Sequence, residues 1–296
     1  MFDILRKSLA TGVVTTSFPQ EPWPTGDTGG RGRPRIDFDG WKDARPACAA
    51  CPTGALVYSD TAGRRRVVLD LGKCTFCGLC AEADASIQMS SECLLAAQQR
   101  EGLVTSVEYE LTASGIHARC IEPPAGKGRD RSEPASPNEK AAVDEVGRRL
   151  ERQVKKLLGR SLHIREVDAG SCNGCEVEIV GLNSPIYDVE RFGIHFVASP
   201  RHADMLLVTG PVSRNMELAL KKTYEAMPAP RLVVAAGACA CSGGIFGQNY
   251  ASLGGVDKVV PVDVYIPGCP PNPYALLQGI LLAIGKWEGA AGHPRK

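Results

Sequence analysis

The spacing of apolar and polar residues changes character near residue 161. From there onward, short apolar runs alternate with longer amphipathic segments. Three of the runs predict strands: Met205–Thr209, Leu232–Ala236 and residues 262–266. Three of the segments predict helices: residues 176–182, 215–227 and 273–286. Strands that alternate with helices are typical of an α/β domain with a mainly parallel sheet.

The first half of the chain has a less regular pattern. Residues 1–40 are rich in Pro and Gly and predict an extended arm, opened by a short helix at residues 2–9. Residues 121–138 are rich in Pro, Gly and charged residues, as linkers are. An apolar stripe at helical spacing follows, formed by Val143, Val146, Leu150, Val154, Leu157 and Leu158. These features divide the chain into a domain at 1–120, a linker and amphipathic helix at 121–160, and a domain at 161–296.

The twelve cysteines are the unusual feature of the composition. The formal net charge is +1, so the overall charge does not favour nucleic acid as a partner. The longest apolar run, at residues 276–284, is far shorter than the ~20 residues of a membrane helix. The N-terminal residues lack the pattern of a signal peptide. We therefore expect a reducing compartment, where cysteines bind metal more often than they form disulfides.

The first cysteine motif is a C-x2-C-x2-C run formed by Cys74, Cys77 and Cys80. Three thiolates on one tight loop can bind three irons of a 4Fe–4S cluster. Cys51, which Pro52 follows, is the obvious fourth ligand. The arrangement resembles that of two-cluster bacterial ferredoxins, in which C-x2-C-x2-C-x3-C-P occurs twice and each fourth cysteine serves the other cluster.

The same pattern indicates that a second cluster has been lost. If Cys51 ends the first run, the other three positions of that run are Trp41, Ala44 and Ala47. The fourth position of the second run is Asp84. None of these four residues supplies a thiolate, whereas the other site keeps all of its cysteines. We therefore predict one 4Fe–4S cluster in this domain.

Two alternatives stay open for these cysteines. They could hold zinc, although the triple run favours an iron–sulfur cluster. Cys48 forms a C-x2-C pair with Cys51 and could replace it as a ligand, or it could be a buried thiol. Cys93 and Cys120 lie outside any motif, and we expect both to be structural.

The C-terminal cysteines lie in short islands that contain Gly and Pro. The islands read GSCNGCE at 170–176, GACACSGG at 237–244 and PGCPP at 267–271. The second and third directly follow predicted strands, and loops at the carboxyl ends of parallel strands converge on one crevice. Glycines beside the cysteines allow the backbone to approach a cluster closely.

These islands, with the stretches SPRHADMLLVTGPVSR and VPVDVYIPGCPP, resemble the small, cluster-bearing subunit of energy-converting (group 4) NiFe-hydrogenases, including formate hydrogenlyase. That subunit is similar to the 20-kDa subunit of respiratory complex I. The resemblance implies a flavodoxin-like domain that carries one 4Fe–4S cluster. The ligands that it implies are Cys172, Cys175, Cys239 and Cys269. Cys241 is a departure from the family pattern, which more often has Asn or another residue there; we expect it to be a nearby thiol, although it could contest Cys239 as a ligand.

Two further details extend the resemblance. The C-x2-C spacing of the first island is a hydrogenase feature, because the complex I subunit has adjacent cysteines there. The opening MFDILRKSLATGVVTTSFPQEP resembles the ferredoxin-like subunit of formate hydrogenlyase, a relative of the complex I 23-kDa subunit. The chain thus resembles a fusion of a small ferredoxin-like α+β domain with a flavodoxin-like α/β domain.

The resemblance implies an electron-transfer subunit of a NiFe-hydrogenase complex, with two 4Fe–4S clusters and no Ni–Fe centre on this chain. The implied partners are a hydrogenase large subunit, membrane ion-translocating subunits, and a ferredoxin or formate dehydrogenase subunit. The implied location is cytoplasmic, at the inner face of the cell membrane through partner subunits. One alternative is a nickel-free, complex I-like quinone or ferredoxin oxidoreductase. Another is a zinc-stabilised assembly scaffold.

Several polar residues have two interpretations. Glu176 and Glu178 adjoin the first island and could pass protons toward a partner's active site, or they could be helix-start glutamates favoured by the helix dipole. The three arginines at 64–66 predict a solvated turn, with docking of an acidic electron donor as the alternative. We expect structural roles for His163, His195, His202 and Asp204, with His202 near an interface as a further possibility.

Overall fold

The computed structural model describes residues 31–122, 151–152, 154–155, 159–185 and 187–291, with side chains to residue 285. The expected helix at residues 2–9 and the linker residues 123–138 lie outside this part of the chain. So does most of the predicted amphipathic stripe. Of that stripe, Val154 is described, and it is buried against the α/β domain as the periodicity predicts.

The N-terminal domain combines short helices with antiparallel strands. Its elements are β1 (Pro34–Ile36), α1 (Arg45–Ala50), β2 (Leu56–Thr61), β3 (Arg64–Asp70), α2 (Leu79–Ala83), β4 (Ile87–Met89), β5 (Val104–Leu111) and β6 (His117–Glu122). Strand β1 pairs with β4, and a separate antiparallel sheet has the order β2-β3-β5-β6. Helices α1 and α2 pack against each other. The result is the small α+β domain that the resemblance implies.

The expectation of a solvated turn at residues 64–66 was wrong. These residues begin β3, and the alternation of the strand turns Arg65 inward until only 1% of it is exposed. The Arg65 guanidinium binds both carboxylate oxygens of Asp60 at 2.7 and 2.8 Å and one of Asp43 at 2.9 Å. A buried arginine is tolerated only when it is paired in this way, so Arg65 is not available to dock a donor.

The C-terminal domain is a parallel five-stranded sheet with helices. Its strands are β7 (Leu162–Asp168), β8 (Ile194–Phe196), β9 (Met205–Thr209), β10 (Leu232–Ala236) and β11 (Val264–Ile266). Its helices are α3 (Gly174–Gly181), α4 (Arg214–Ala226), α5 (Gly237–Ser242) and α6 (Pro273–Ala291). The sheet order is β11-β10-β9-β7-β8 and every pair is parallel. Counted within the domain, this is the flavodoxin-like order 2-1-3-4-5, which confirms the predicted fold class.

The burial of each strand explains which ones the sequence revealed. All five residues of β9 and of β10 are buried, so these strands read as the continuous apolar runs that were predicted. Strands β7 and β8 carry charged residues and histidines on half-exposed positions, and apolar runs did not reveal them. Helix α6 extends five residues beyond its predicted end.

The two domains share a hydrophobic core. One buried cluster joins N-terminal residues such as Trp41 and Leu103 to residues on one side of the parallel sheet, such as Leu206 and Val233. A second cluster fills the other side of the sheet, beneath α6. Residues 93–100, which we call the interdomain segment, lie along the sheet edge. There Ala97 forms an antiparallel bridge with Tyr265 of β11.

Candidate metal centres

Four thiols of the N-terminal domain surround one small cavity. Cys51 ends α1, Cys74 and Cys77 lie on the loop between β3 and α2, and Cys80 lies in the first turn of α2. The cavity is lined by Cys51, Cys74, Cys77 and Cys80, together with apolar residues that include Pro34, Leu56, Leu69, Phe76 and Met89. Cys48 is not among the lining residues, since it lies within α1. The structure therefore brings together the four cysteines that the sequence selected.

The loop backbone supports these thiols closely. Gly78 has a φ of +86°, a left-handed conformation in which glycine is unstrained, and it begins the turn into α2. The Leu56 amide points at the Cys51 sulfur and the Phe76 amide at the Cys74 sulfur, each at 3.4 Å. Amide hydrogen bonds to ligand sulfurs are among the features that set the potential of an iron–sulfur cluster.

Burial makes these thiols difficult to ionise without a metal. It raises the pKa of Cys74 to about 12, with further increases from the charges of Cys80, Cys51 and Cys77. The pKa of Cys80 is also raised, first by burial and then by Cys51 and Cys77. The positive charge of a bound metal stabilises adjacent buried thiolates. Because these thiols are protonated when no metal is bound, metal binding here must release protons.

The positions that correspond to the second cluster of the ferredoxin pattern are filled by packed protein. Ala44 and Ala47 have no exposed surface, and Trp41 is buried beside them. The Trp41 indole reaches Asp84, which stands at the fourth position of the second run. These four residues meet as the ferredoxin pattern requires, but they form a core contact and contain no metal ligand.

Four thiols of the C-terminal domain also converge at the carboxyl ends of the strands, two on loops (Cys172 and Cys269) and two in the first turns of helices (Cys175 in α3 and Cys239 in α5). Cys172 and Cys175 follow β7, Cys239 follows β10 and Cys269 follows β11. The Ala238 amide donates to the Gly268 carbonyl at 2.7 Å, which ties the second loop to the third. Burial raises the pKa of Cys175, and the charges of Glu176 and of the other three thiols raise it further. The four thiols are therefore close enough to interact electrostatically.

Glycines make room for the sulfurs at this site. A Cβ at Gly237 would lie 2.7 Å from the Cys175 sulfur, and a Cβ at Gly244 would lie 2.7 Å from the Cys239 sulfur. Both glycines also have left-handed backbone conformations that other residues rarely adopt. Burial raises the pKa of Cys239 to about 11, so this site, like the first, favours a bound cation over free thiolates.

Cys241 occupies a different environment from Cys239. It is 1% exposed, and its sulfur contacts the carbonyl oxygens of Ile266 at 3.5 Å and Ala235 at 3.7 Å. These carbonyls lie at the ends of β11 and β10, so the thiol is held against the sheet. Cys241 therefore has the environment of a structural thiol, whereas Cys239 is one of the four thiols that converge.

A buried polar group lies directly behind the C-terminal thiols. The Thr209 hydroxyl donates to the Glu176 carboxylate and lies 3.3 Å from Glu166. Burial and the neighbouring charge of Glu176 raise the pKa of Glu166, while burial raises that of Glu178. Sequence reasoning singled out Glu176 and Glu178 but missed Glu166 and Thr209. The sequence signal that could have revealed them was Thr209 itself, a polar residue at the carboxyl end of the apolar run of β9.

The surface around the C-terminal thiols is apolar and exposed. Cys172 and Cys269 are themselves exposed. Four large apolar residues on α3 and on the loop after α5 are also exposed: Val177, Val180, Ile245 and Phe246. We call these four residues the apolar rim. Contiguous exposed apolar surface is typical of a protein interface.

Of the other polar residues that the sequence singled out, Asp204, His163 and His195 have structural partners, and His202 lies at the surface. Asp204 accepts bonds from Arg160 at 2.7 and 2.9 Å and from the His163 amide at 3.0 Å. The rings of His163 and His195 meet edge to face. His202 lines an open surface cavity with Arg160 and Arg201.

The donor set fits iron–sulfur clusters. None of the twelve cysteines, all of which lie in the described residues, forms a disulfide in the structure. Within the described ranges, no three His, Cys, Asp or Glu side chains are close enough to share a single metal ion. A cubane cluster spreads its four cysteine ligands more widely than one zinc ion does, and it suits two all-thiol groups.

In the part of the chain that the structure describes, no helix is both long enough and apolar enough to span a membrane.

Comparisons with known proteins agree with this arrangement. The family model described as NADH ubiquinone oxidoreductase, 20 Kd subunit, matches residues 172–283, which contain all four C-terminal thiols. Formate hydrogenlyase subunit 7 of Escherichia coli is 49% identical over 146 residues, which are 49% of this chain and 57% of that protein. An NADH-quinone oxidoreductase subunit of Desulfovibrio desulfuricans is 52% identical over 107 residues, 36% of this chain and 58% of that protein.

A further relative is matched over most of its length. The Pyrococcus furiosus protein named "Probable membrane-bound hydrogenase subunit mbhJ" is 46% identical over 142 residues, 47% of this chain and 85% of that protein. The chain spans little more than half of the formate hydrogenlyase and quinone oxidoreductase relatives. The chain belongs to the family that comprises the 20-kDa subunit of NADH–ubiquinone oxidoreductase and the corresponding subunits of formate hydrogenlyase and membrane-bound hydrogenase.

Proposed function

We propose that this chain is an electron-transfer subunit of a membrane-associated NiFe-hydrogenase complex of the formate hydrogenlyase type. Two separate groups of four thiols carry the proposal, because each group has the ligand chemistry of one 4Fe–4S cluster. The first is Cys51, Cys74, Cys77 and Cys80. The second is Cys172, Cys175, Cys239 and Cys269. When bound, the clusters supply one-electron carriers.

The chain's own residues hold and tune these carriers. Amides aimed at the sulfurs of Cys51 and Cys74 favour the charged ligand, and the apolar lining excludes water from the first site. At the second site, Gly237 and Gly244 let the backbone approach the sulfurs. The chain carries no Ni–Fe centre in this proposal, since the thiols of both groups are used by the clusters.

The exposed side of the C-terminal group supports a large catalytic partner. Cys172, Cys269 and the apolar rim face outward, so a docked hydrogenase large subunit would bury the second cluster beside its own active site. The N-terminal group would then exchange electrons with a ferredoxin or a formate dehydrogenase subunit. Membrane ion-translocating subunits would hold the complex at the inner, cytoplasmic face of the membrane.

A second candidate is a nickel-free, complex I-like quinone or ferredoxin oxidoreductase. The family model and the 52% identity to a quinone oxidoreductase subunit favour it. Against it stands the spacing of Cys172 and Cys175, which are separated by two residues as in hydrogenases. The zinc-stabilised scaffold has less support, because the C-x2-C-x2-C run of Cys74, Cys77 and Cys80 favours an iron–sulfur cluster over zinc.

The test is to isolate the native complex anaerobically through a tag on this chain and to measure its metals. We expect about one nickel per complex and more than about eight iron atoms per chain, since each 4Fe–4S cluster contributes four. About eight iron atoms without nickel would move the chain to the complex I-like branch. Zinc without iron or acid-labile sulfide would refute electron transfer.

A further inference from the structure

One side chain connects the ligand loops of the two thiol groups. Arg100 belongs to the interdomain segment, and its Nε–H donates to the carbonyl oxygen of Cys241 at 3.1 Å. Cys241 lies two residues after Cys239, in the short helix α5. The carbonyls of a last helical turn have no partner within the helix, so this bond satisfies a group that α5 leaves free.

The other end of the same guanidinium is fixed to the N-terminal cluster loop. Its terminal nitrogens lie 2.7 and 2.8 Å from the two carboxylate oxygens of Asp70, the last residue of β3. Asp70 also accepts from the Gly72 amide at 3.0 Å, and this turn leads directly to Cys74. One terminal nitrogen donates a hydrogen bond to Asp70, and the ion pair with both carboxylate oxygens restricts the orientation of the guanidinium.

The guanidinium of Arg100 packs closely against Gly72. A Cβ at Gly72 would lie 2.5 Å from the central carbon of the Arg100 guanidinium. The turn before Cys74 therefore packs on Arg100 with no room for a side chain. Arg100 is largely buried, so water competes little for its bonds.

Two neighbouring contacts hold the domains together, but neither of them reaches both ligand loops. Ala97 and Tyr265 exchange two backbone hydrogen bonds at 3.0 and 2.8 Å. The Asn272 amide group lies 3.1 Å from the Cys93 sulfur. Arg100 differs because it bonds the turn before Cys74 on one side and the helix of Cys239 on the other.

We propose that Arg100 is the positioning residue that sets the distance and orientation between the two cluster sites. The proposal rests on the proposed function, since it presupposes a cluster at each thiol group. The bonds of Arg100 to Asp70 and Cys241 join the two ligand loops, so losing them would let the separation of two bound clusters change, and tunnelling falls steeply with distance. Transfer oxidises one cluster by one electron and reduces the other by one, while Arg100 keeps its proton.

The experiment compares the full-length chain, purified anaerobically, with Arg100→Gln, Gly72→Ala and the control Arg65→Gln. Gly72→Ala keeps every charge, but its added methyl group displaces the Arg100 guanidinium from its position against the turn. Arg65→Gln breaks a buried ion pair of the same domain that does not touch the other domain. The readouts are iron content, the magnetic splitting between the reduced clusters in electron paramagnetic resonance, and hydrogen exchange at the Ala97 and Tyr265 amides.

We expect Arg100→Gln and Gly72→Ala to retain the iron of the wild type but to lose the magnetic splitting and the protection of both amides. Arg65→Gln should retain both. Unchanged splitting and protection in the two test variants would overturn the role of Arg100, as would an equal loss in Arg65→Gln. Fewer than two cluster signals in the wild type would instead refute the proposed function, while amide exchange would still decide whether Arg100 fixes the domains.

Discussion

The indole nitrogen of Trp41 donates a hydrogen bond to a carboxylate oxygen of Asp84 at 2.7 Å. In the ferredoxin pattern these two positions are ligands of the same cluster, and in this chain they contact each other directly. The other Asp84 oxygen accepts from the Ser86 amide at 2.8 Å. Tyr109 and His117 pack edge to face on the indole. A tryptophan and its hydrogen bond thus form a packed core contact where the ferredoxin pattern has cluster ligands.

This arrangement predicts that Trp41 is a major source of stability. Only 2% of Trp41 is exposed, so Trp41→Ala should lower the free energy of unfolding by about 3–5 kcal/mol. Trp41→Phe should cost about 1 kcal/mol, because it leaves a half-buried Asp84 oxygen without its donor. Anaerobic urea unfolding measures both changes, with Val57→Ala on the exposed face of β2 as a control. Loss of iron without loss of stability would contradict the assignment of Trp41 to a structural core.

His117 should make stability depend on pH. Burial lowers the pKa of His117, whose ring stacks on Tyr109 at 3.9 Å and bonds the Trp41 carbonyl at 2.9 Å. The bond to Trp41 and the charges of Asp43 and Asp60 oppose this shift, whereas Arg65 adds to it. The unfolded chain takes up a proton near pH 6.5, before the folded chain does, so stability should fall as the pH falls below about 6.5.

The matched variant is His117→Phe, which keeps an aromatic ring but cannot titrate. The urea midpoint of the wild type should decrease more steeply than that of His117→Phe between about pH 7 and pH 5. Parallel decreases in the two proteins would show that other groups control the acid dependence.

Cys239 and Cys241 should respond differently to substitution. Cys239→Ser should remove the C-terminal cluster signal and leave the N-terminal one, because it removes one of the converging thiols. Cys241→Ala should retain both cluster signals, since its sulfur contacts only backbone carbonyls at the ends of β10 and β11. Iron content and electron paramagnetic resonance distinguish the two outcomes. Loss of the cluster in Cys241→Ala alone would reverse the assignment.

Glu176 should matter for proton transfer in the assembled complex. Its carboxylate accepts from buried Thr209 and adjoins Glu166, which makes a polar route behind the C-terminal thiols. Glu176→Gln should slow hydrogen turnover by about 100-fold or more, with unchanged cluster signals. Glu178→Gln is the matched control and should have a smaller effect, because no hydroxyl links it to Glu166. Equal turnover in both variants and the wild type would leave Glu176 with a structural role only.

The apolar rim should bind the large subunit. Val180 is 70% exposed on α3, so Val180→Asp should leave the isolated chain folded. A buried charge at the centre of an interface should weaken association by about 2 kcal/mol or more. Co-purification of the large subunit measures this loss, and Val57→Asp on the N-terminal domain serves as the control. Full recovery of the partner with Val180→Asp would place the interface elsewhere.

The sequence by itself determined the chemistry of this protein. Buried strands β9 and β10 read directly as apolar runs because a parallel sheet is covered on both faces. The C-x2-C-x2-C run and the Gly- and Pro-bordered islands pointed to the same eight cysteines that the fold brings together. The sequence also predicted a single cluster in the N-terminal domain, because none of the four ligand positions of a second ferredoxin cluster supplies a thiolate.

Only the tertiary structure decided how the parts meet. Nothing in the spacing of Arg100 shows that it joins Asp70 to Cys241, because such contacts depend on how two domains pack. The inward turn of Arg65 and the contact of Trp41 with Asp84 were hidden for the same reason. Sequence patterns report local periodicity and ligand chemistry, whereas burial and long-range hydrogen bonds arise only when distant segments are packed together.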